Sequence, residues 1–365
     1  MPQAPANFDQ WYVTSSYQQF VQQEGAPLYD GSALEDLATL ELNEWERRGG
    51  KVAYTRMGEH ENYNLQIVEI PPKAQLKPEH HMYDAVMYVM KGRGATDIWQ
   101  EGEPKQTVEW EEGSLLALPL NAWHQEFNSS GDEPCRMLFG TNMANVINLY
   151  HNLEFVFNNP FSFKDRFSYA MRDFYAHEGM RRNLRVYETN FIPDIRRFVL
   201  DPYPERGERT SIMRLSMASV SIGMHVMSVS EGTYVTAHRH DPGAHVIVID
   251  GDGYELLFMP GEEKQRRKVR TKPYAVVAPR RNEFHQHFNT CKGFYRMLAF
   301  RGVSLRYGAG RKYDPAYTAQ DKDPYAYGFK IGYEKEDPAI REEYYAELAK
   351  NGVTLRTTPV DQGRG

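Results

Sequence analysis

Residues 232–253 read Gly232-Thr-Tyr-Val-Thr-Ala-His238-Arg-His240-Asp-Pro-Gly-Ala-His245-Val-Ile-Val-Ile-Asp-Gly251-Asp-Gly253, and Pro279-Arg-Arg-Asn-Glu-Phe-His285-Gln-His287-Phe-Asn289 follows downstream. Side chains alternate faces along an extended chain, so His238 and His240 project from one side, and so do His285 and His287. With His245, imidazoles from three chain segments converge. That suits a divalent transition metal better than scattered surface histidines would.

The same pattern occurs twice. Glu79-His-His81-Met-Tyr-Asp-Ala-Val86 through Gly92-Arg-Gly94 lies over His238 through Gly253 without a gap. Further on, Pro119-Leu-Asn-Ala-Trp-His124-Gln-Glu-Phe-Asn128 lies over Pro279 through Asn289 with one residue added. Residue 79 maps onto 238 and residue 124 onto 285, so the offset stays between 159 and 161. A register kept over that length marks a duplicated domain.

The surrounding chain is strand-like. From about residue 53 the hydrophobic period is two, in short segments at 63–71, 75–81, 86–90, 95–100, 107–110, 115–118, 123–128 and 136–140. Gly, Pro, Asn and acidic turns separate them. Many short strands at this spacing imply a sandwich or barrel. The expected organisation is an N-terminal helical extension over 1–52, a first β-domain over 53–145 and a connection over 146–210. A second β-domain over 211–305 and a C-terminal extension over 306–365 complete it. In the first extension, Ser32-Ala-Leu-Glu35 is a capping-box pattern that predicts a helix from Leu34 to Arg48, stopped by Gly49-Gly50, and Phe8 to Gln23 is a weaker helical segment. The aromatic- and arginine-rich connection is expected to pack against both barrels. In the last extension, Asp337-Pro338 and Gly352 bracket a helix over 338–351.

The chain is 365 residues long with a formal net charge of -6, enough for two domains and with no nucleic-acid-binding surface indicated. The one basic run, Lys264 to Lys268, reads as a solvated hairpin. Cys135 and Cys291 are too few for a disulfide framework. The first thirty residues have no charged segment leading into an apolar one, and no apolar run approaches the roughly 20 residues of a membrane span. The expectation is a cytoplasmic protein with no membrane partner.

These residues resemble the motifs of the cupin family. Gly232, His238 and His240 match its first motif, with His245 standing where an acidic residue is usual. Pro279, His285 and Asn289 match the second. In the first copy His81, Gly92, Gly113, Pro119, His124 and Asn128 match, while Glu79 replaces the leading histidine and Val86 stands at the acidic position. The resemblance implies a bicupin, an all-β core of two tandem jelly-roll barrels with peripheral helices at both termini and in the connection. The order of parts is also similar to gentisate 1,2-dioxygenase-like ring-cleaving enzymes, which hold their metal by three histidines.

The resemblance implies a primary metal site of His238, His240, His245 and His285. Fe(2+) is favoured, and Mn, Zn, Ni or Cu suit the same imidazoles. His245 is either a ligand, leaving two open positions on a six-coordinate metal, or an orienting neighbour, leaving three. His287 is a candidate catalytic proton shuttle or an orienting group. In the first copy Glu79, His81 and His124 form a two-histidine, one-carboxylate set, read either as a second metal site or as a structural remnant. His80 faces the other side of its strand.

The leading functional reading is a metal-dependent dioxygenase acting on a small aromatic or carboxylated metabolite. The alternatives are a non-redox lyase, decarboxylase or isomerase, or a non-catalytic binding bicupin. A small-molecule substrate and further copies of the chain, in a homo-oligomer, are the expected partners.

Overall fold

The computed structural model describes residues 14–59, 61–171, 173–176, 178–183, 185–239, 243–302 and 329–356. Within it the chain divides into two compact units. One comprises Met1–Asp30, Leu40–Arg56 and His60–Ala176; the other comprises Gly31–Thr39, Met57–Glu59 and His177–Gly365. Each is built almost wholly from antiparallel strands, in the all-β tandem arrangement expected of two cupin-type barrels.

In the first unit one sheet runs Lys51–Met57, Asn64–Ile70, Cys135–Thr141, Ala85–Lys91, Leu115–Leu118 in hydrogen-bonded order. The other runs Trp123–Asn128, Arg93–Trp99, Gln106–Glu111. Residues 75–79 extend this second sheet. Leu76 N donates to Glu126 O and Glu79 N to His124 O, which sets Glu79 directly opposite His124.

The second unit repeats this plan. Its larger sheet contains Thr210–Ser216, Gly223–Val229, Tyr295–Arg301, Ala244–Asp250 and Val276–Val277 in that order. Its smaller sheet runs Arg267–Thr271, Gly253–Phe258, Phe284–Asn289, His238–Arg239. Val235 N donates to His287 O, and His238 lies directly opposite His285. The repeat read in the sequence therefore returns as a repeat in strand register. The motif glycines close equivalent turns: Gly92 and Gly251 have φ of 91° and 82°, a left-handed backbone that favours glycine. A Cβ at Gly92 would also stand 2.5 Å from Cys135 Sγ.

The helix expected from Leu34 to Arg48 does not form. Ala33–Leu34 instead adds a strand to the second unit, with Ala33 opposite Val277 and Leu34 opposite Val276. Ala278 N donates to Ser32 O and Leu37 N to Tyr274 O, so backbone groups that a helix would satisfy internally are satisfied by the sheet. Covering the Val276–Val277 edge outweighs a weak local helical preference. Of the segment expected to be helical from Phe8 to Gln23, the part before residue 14 lies outside the described residues, and Ser16–Gln23 is a helix. It opens on a capping box in which Gln18 N donates to Ser15 Oγ and Ser15 N to Gln18 Oε1. The C-terminal helix spans Pro338–Asn351, capped by Asp337 and ended by Gly352 in the left-handed conformation. It packs Ile340, Tyr344 and Leu348 against Tyr234, Tyr254, Leu256 and Phe288 of the smaller sheet.

Candidate metal centres

Three histidines meet in the second unit. His238 enters from the short strand His238–Arg239, and His285 and His287 enter from Phe284–Asn289. All three are buried, and one ring nitrogen from each lies within 4.8 Å of the others. The ring centroids of His238 and His285 are 4.2 Å apart, and those of His285 and His287 are 5.5 Å apart.

The rings are held from behind. His238 Nδ1 lies 2.9 Å from Thr236 O, so its Nε2 is the ring atom left to face the group. His287 Nδ1 lies 2.5 Å from Glu255 Oε2, because Glu255 stands directly opposite His287 in the sheet. Glu255 is positioned in turn by Tyr295 Oη, which donates to Oε1 at 3.0 Å and meets Thr271 Oγ1 at 2.7 Å. A carboxylate behind a ligating imidazole helps to orient its ring. Burial, with His287, Arg206 and Arg301 nearby, pushes His285 well below the ordinary histidine pKa. The neutral imidazole that a metal needs is thereby favoured. Three buried imidazoles, with His238 held by Thr236 O and His287 set against Glu255, are a donor set that fits a divalent transition metal.

His245 is not in this group. It sits on Ala244–Asp250, where Ala244, Val246 and Val248 join the core cluster with Ile212, Met227, Met297 and Ala299. Alternation turns His245 to the opposite face, where its Nε2 lies 3.5 Å from Met57 O. Ala244, next to it, lies on the face that joins this core cluster. His240 lies outside the described residues. His287, by contrast, joins His238 and His285 in the group.

Several residues around the group escaped the sequence reading. Glu255 is recoverable only from the register that pairs it with His287. Arg214 lies directly opposite His225, and Arg301 lies opposite Ala244, so their spacing in the chain carries no sign of their shared face. Arg206 reaches the neighbourhood through its carbonyl, which accepts from Thr236 N at 2.9 Å, two residues before His238. Burial, with Arg301, Arg214, His287 and Arg206 close by, pushes His225 well below its ordinary pKa. Arg206, Arg214 and Arg301 thus lie close to His225, and Arg206 and Arg301 close to His285.

The first unit places Glu79, His81 and His124 together within the same 4.8 Å limit. His81 Nε2 and His124 Nε2 are 3.2 Å apart. His81 Nδ1 lies 2.8 Å from Tyr83 O, and His124 Nδ1 lies 2.7 Å from Glu126 Oε1. The donor types suit a metal, but the carboxylate is already committed. Arg48 Nη1 donates to Glu79 Oε1 at 2.8 Å, Arg47 pairs with Glu79 Oε2, and Arg48 Nη2 donates to Glu126 Oε2 at 2.8 Å. Burial alone would raise both carboxyls; the guanidiniums outweigh it, holding Glu126 down to about 2 and Glu79 well below the carboxylate range. Burial and the adjacent His124 lower His81 to about 3.

Among the described residues no helix is long and apolar enough to cross a membrane. No family model matches the sequence, and no curated protein matches it. Solved structures of similar arrangement include hazelnut (Corylus avellana) vicilin, at 14% identity and a TM-score of 0.45, covering 74% of this chain and 84% of that one. A Momordica charantia 7S globulin is 13% identical at a TM-score of 0.46, covering 74% and 83%. A deletion mutant of Bacillus subtilis oxalate decarboxylase is 14% identical at a TM-score of 0.48, covering 74% and 77%.

Proposed function

We propose that the chain is a metal-dependent bicupin enzyme whose working centre is His238, His285 and His287 in the second unit, with iron, Fe(2+), the favoured metal. The observation that carries this is the convergence of three buried imidazoles, with Glu255 behind His287. A bound divalent metal supplies Lewis acidity at a bound oxygen and, if it is iron, access to dioxygen chemistry. Three protein ligands on a six-coordinate ion leave room for a chelating substrate and dioxygen, which supports dioxygenation as the leading reaction.

The chain's own residues set the rest. Glu255 keeps the His287 ring turned inward. Tyr295 keeps Glu255 in place by donating to its Oε1. Arg206, Arg214 and Arg301 surround His225 and His285 with positive charge, which favours a small carboxylated substrate over a neutral one.

A non-redox lyase or decarboxylase is the second reading. It is favoured by His240, which holds the repeat position of His81 and as a fourth imidazole would leave two open positions. The first-unit set of Glu79, His81 and His124 is proposed as a weaker metal site, because Arg47 and Arg48 already neutralise its carboxylate.

Elemental analysis of protein purified without added metal, followed by oxygen uptake on phenolic and aliphatic carboxylic acids, separates these readings. Bound iron with oxygen consumption supports dioxygenation. Bound manganese, zinc or nickel with turnover but no oxygen consumption supports the second reading. Absence of any stoichiometric metal would overturn both.

A further inference from the structure

The strands that present His81 and His124 to the first-unit group present His80 and Trp123 to the other side, as strand alternation requires. There they open onto a separate cleft of about 340 Å3, in the size range of small-molecule sites. Its floor is aromatic. The His80 ring lies 4.1 Å from the Trp123 ring, and Trp123 stacks on Trp99 at 6.0 Å with an interplanar angle of 11°. Its facing wall is the 158–162 segment, which carries Phe161.

That wall is built into the fold. Asn121, which is buried and has a φ of 55°, uses its side chain to hold it: Nδ2 donates to Asn159 O at 2.9 Å and to Phe161 O at 2.6 Å. The Asn121 Oδ1 pairs with His80 Nδ1 at 2.9 Å, and Ser162 Oγ donates to Gln100 Oε1 at 2.6 Å. On this braced segment Phe161 is 60% exposed, an apolar ring held toward solvent at the mouth of the cleft. Glu101, Asn158 and Asn159 also line the cleft; Asn158 Nδ2 donates to Glu154 Oε2 at 2.7 Å and Asn159 Oδ1 accepts from Phe161 N at 2.9 Å. Among the described residues no lysine or arginine lines it, and Lys105 Nζ lies 4.3 Å from the centre of the Trp99 ring behind Trp123.

We infer that this cleft binds a neutral sugar, of mono- or disaccharide size, independently of the metal centre. A pyranose ring has one apolar C–H face and a rim of hydroxyls. Flat aromatic walls take the first, and carboxamides with a single carboxylate take the second, since amides both donate and accept and a carboxylate accepts from two hydroxyls. The lack of basic lining residues argues against a phosphate or carboxylate ligand, and the row of amides favours hydroxyls over a quaternary ammonium group.

The test uses Trp123, which lines the cleft, as its reporter. The full chain as purified is titrated with glucose, galactose, N-acetylglucosamine, cellobiose, lactose and chitobiose, following intrinsic tryptophan emission. At least one of these is expected to give a saturable change with a Kd of about 1 mM or tighter. Phe161→Ala is expected to weaken that binding roughly 3- to 10-fold, and Glu101→Ala to weaken it measurably. Both positions are exposed, so unchanged circular dichroism spectra are expected alongside. The inference is overturned if no sugar in the panel perturbs emission up to about 10 mM. It is also overturned if binding survives both substitutions undiminished, or if choline or adenosine saturates the cleft where every sugar fails.

Discussion

Glu255 reaches His287 across one rung of the smaller sheet, at 2.5 Å, and carries no other role that its sequence position would suggest. Its replacement in Glu255→Gln keeps the shape and removes the charge, and is expected to lower metal affinity about 10- to 100-fold, as loss of a ligand-orienting carboxylate does. Competition against a chelator measures this, and an unchanged affinity would place Glu255 outside the centre. In the first unit Arg48 is the residue to change. It is buried between Glu79 and Glu126, so Arg48→Met leaves two buried carboxylates short of a cation. A loss of about 3–5 kcal/mol in unfolding free energy is expected. Adding Glu126→Gln should recover part of it, and denaturant titration of the single and double variants decides. His238 and His285 were legible from motif spacing, whereas Glu255, Arg214 and Arg301 were not. Their roles depend on which strands lie side by side, and that pairing is long-range.

Strands were the most readable elements. Alternating segments such as 123–128 and 115–118 return as Trp123–Asn128 and Leu115–Leu118, because two-residue periodicity and turn chemistry agree there. The segment after Ser32 shows the opposite case, where a capping pattern was overruled by an available sheet edge. The C-terminal helix Pro338–Asn351 was readable because its cap, its Pro and its terminal Gly are all local. Its docking is partly ionic: Glu347 accepts from Lys268 Nζ and Arg270 Nη2, each at 2.9 Å. Those partners, Lys268 first, hold the Glu347 carboxyl down to about 2. A carboxyl lowered in the folded state stabilises the fold above its unfolded pKa, and that contribution is lost as pH falls through the folded one. The melting temperature of the native protein should therefore exceed that of Glu347→Gln near neutrality. The difference should shrink as pH drops from about 4.5 toward about 2. A difference that stays constant through that window would contradict the assignment.

At the scale of the whole chain, duplication followed by divergence of charge explains why two matching registers carry different chemistry. Glu79 and His238 occupy the same repeat position, as do His124 and His285; Glu79 faces His124 in the first unit, and His238 faces His285 in the second. In the first unit two guanidiniums already supply the positive charge beside the carboxylate; in the second, three imidazoles stand together. The duplication could be read from one sequence because near-constant spacing survives divergence; of the second group, His238 and His285 were read as ligands and His287 as a proton shuttle or orienting group. The committed arginines could not, because Arg47 and Arg48 lie outside the repeat and reach Glu79 only in the folded unit. Metal stoichiometry tests the central claim most directly, measured on native protein, His285→Ala and His81→Ala purified side by side. The account predicts about one tightly held equivalent per chain, lost in His285→Ala and kept in His81→Ala. Metal retained by His285→Ala and lost from His81→Ala would contradict it.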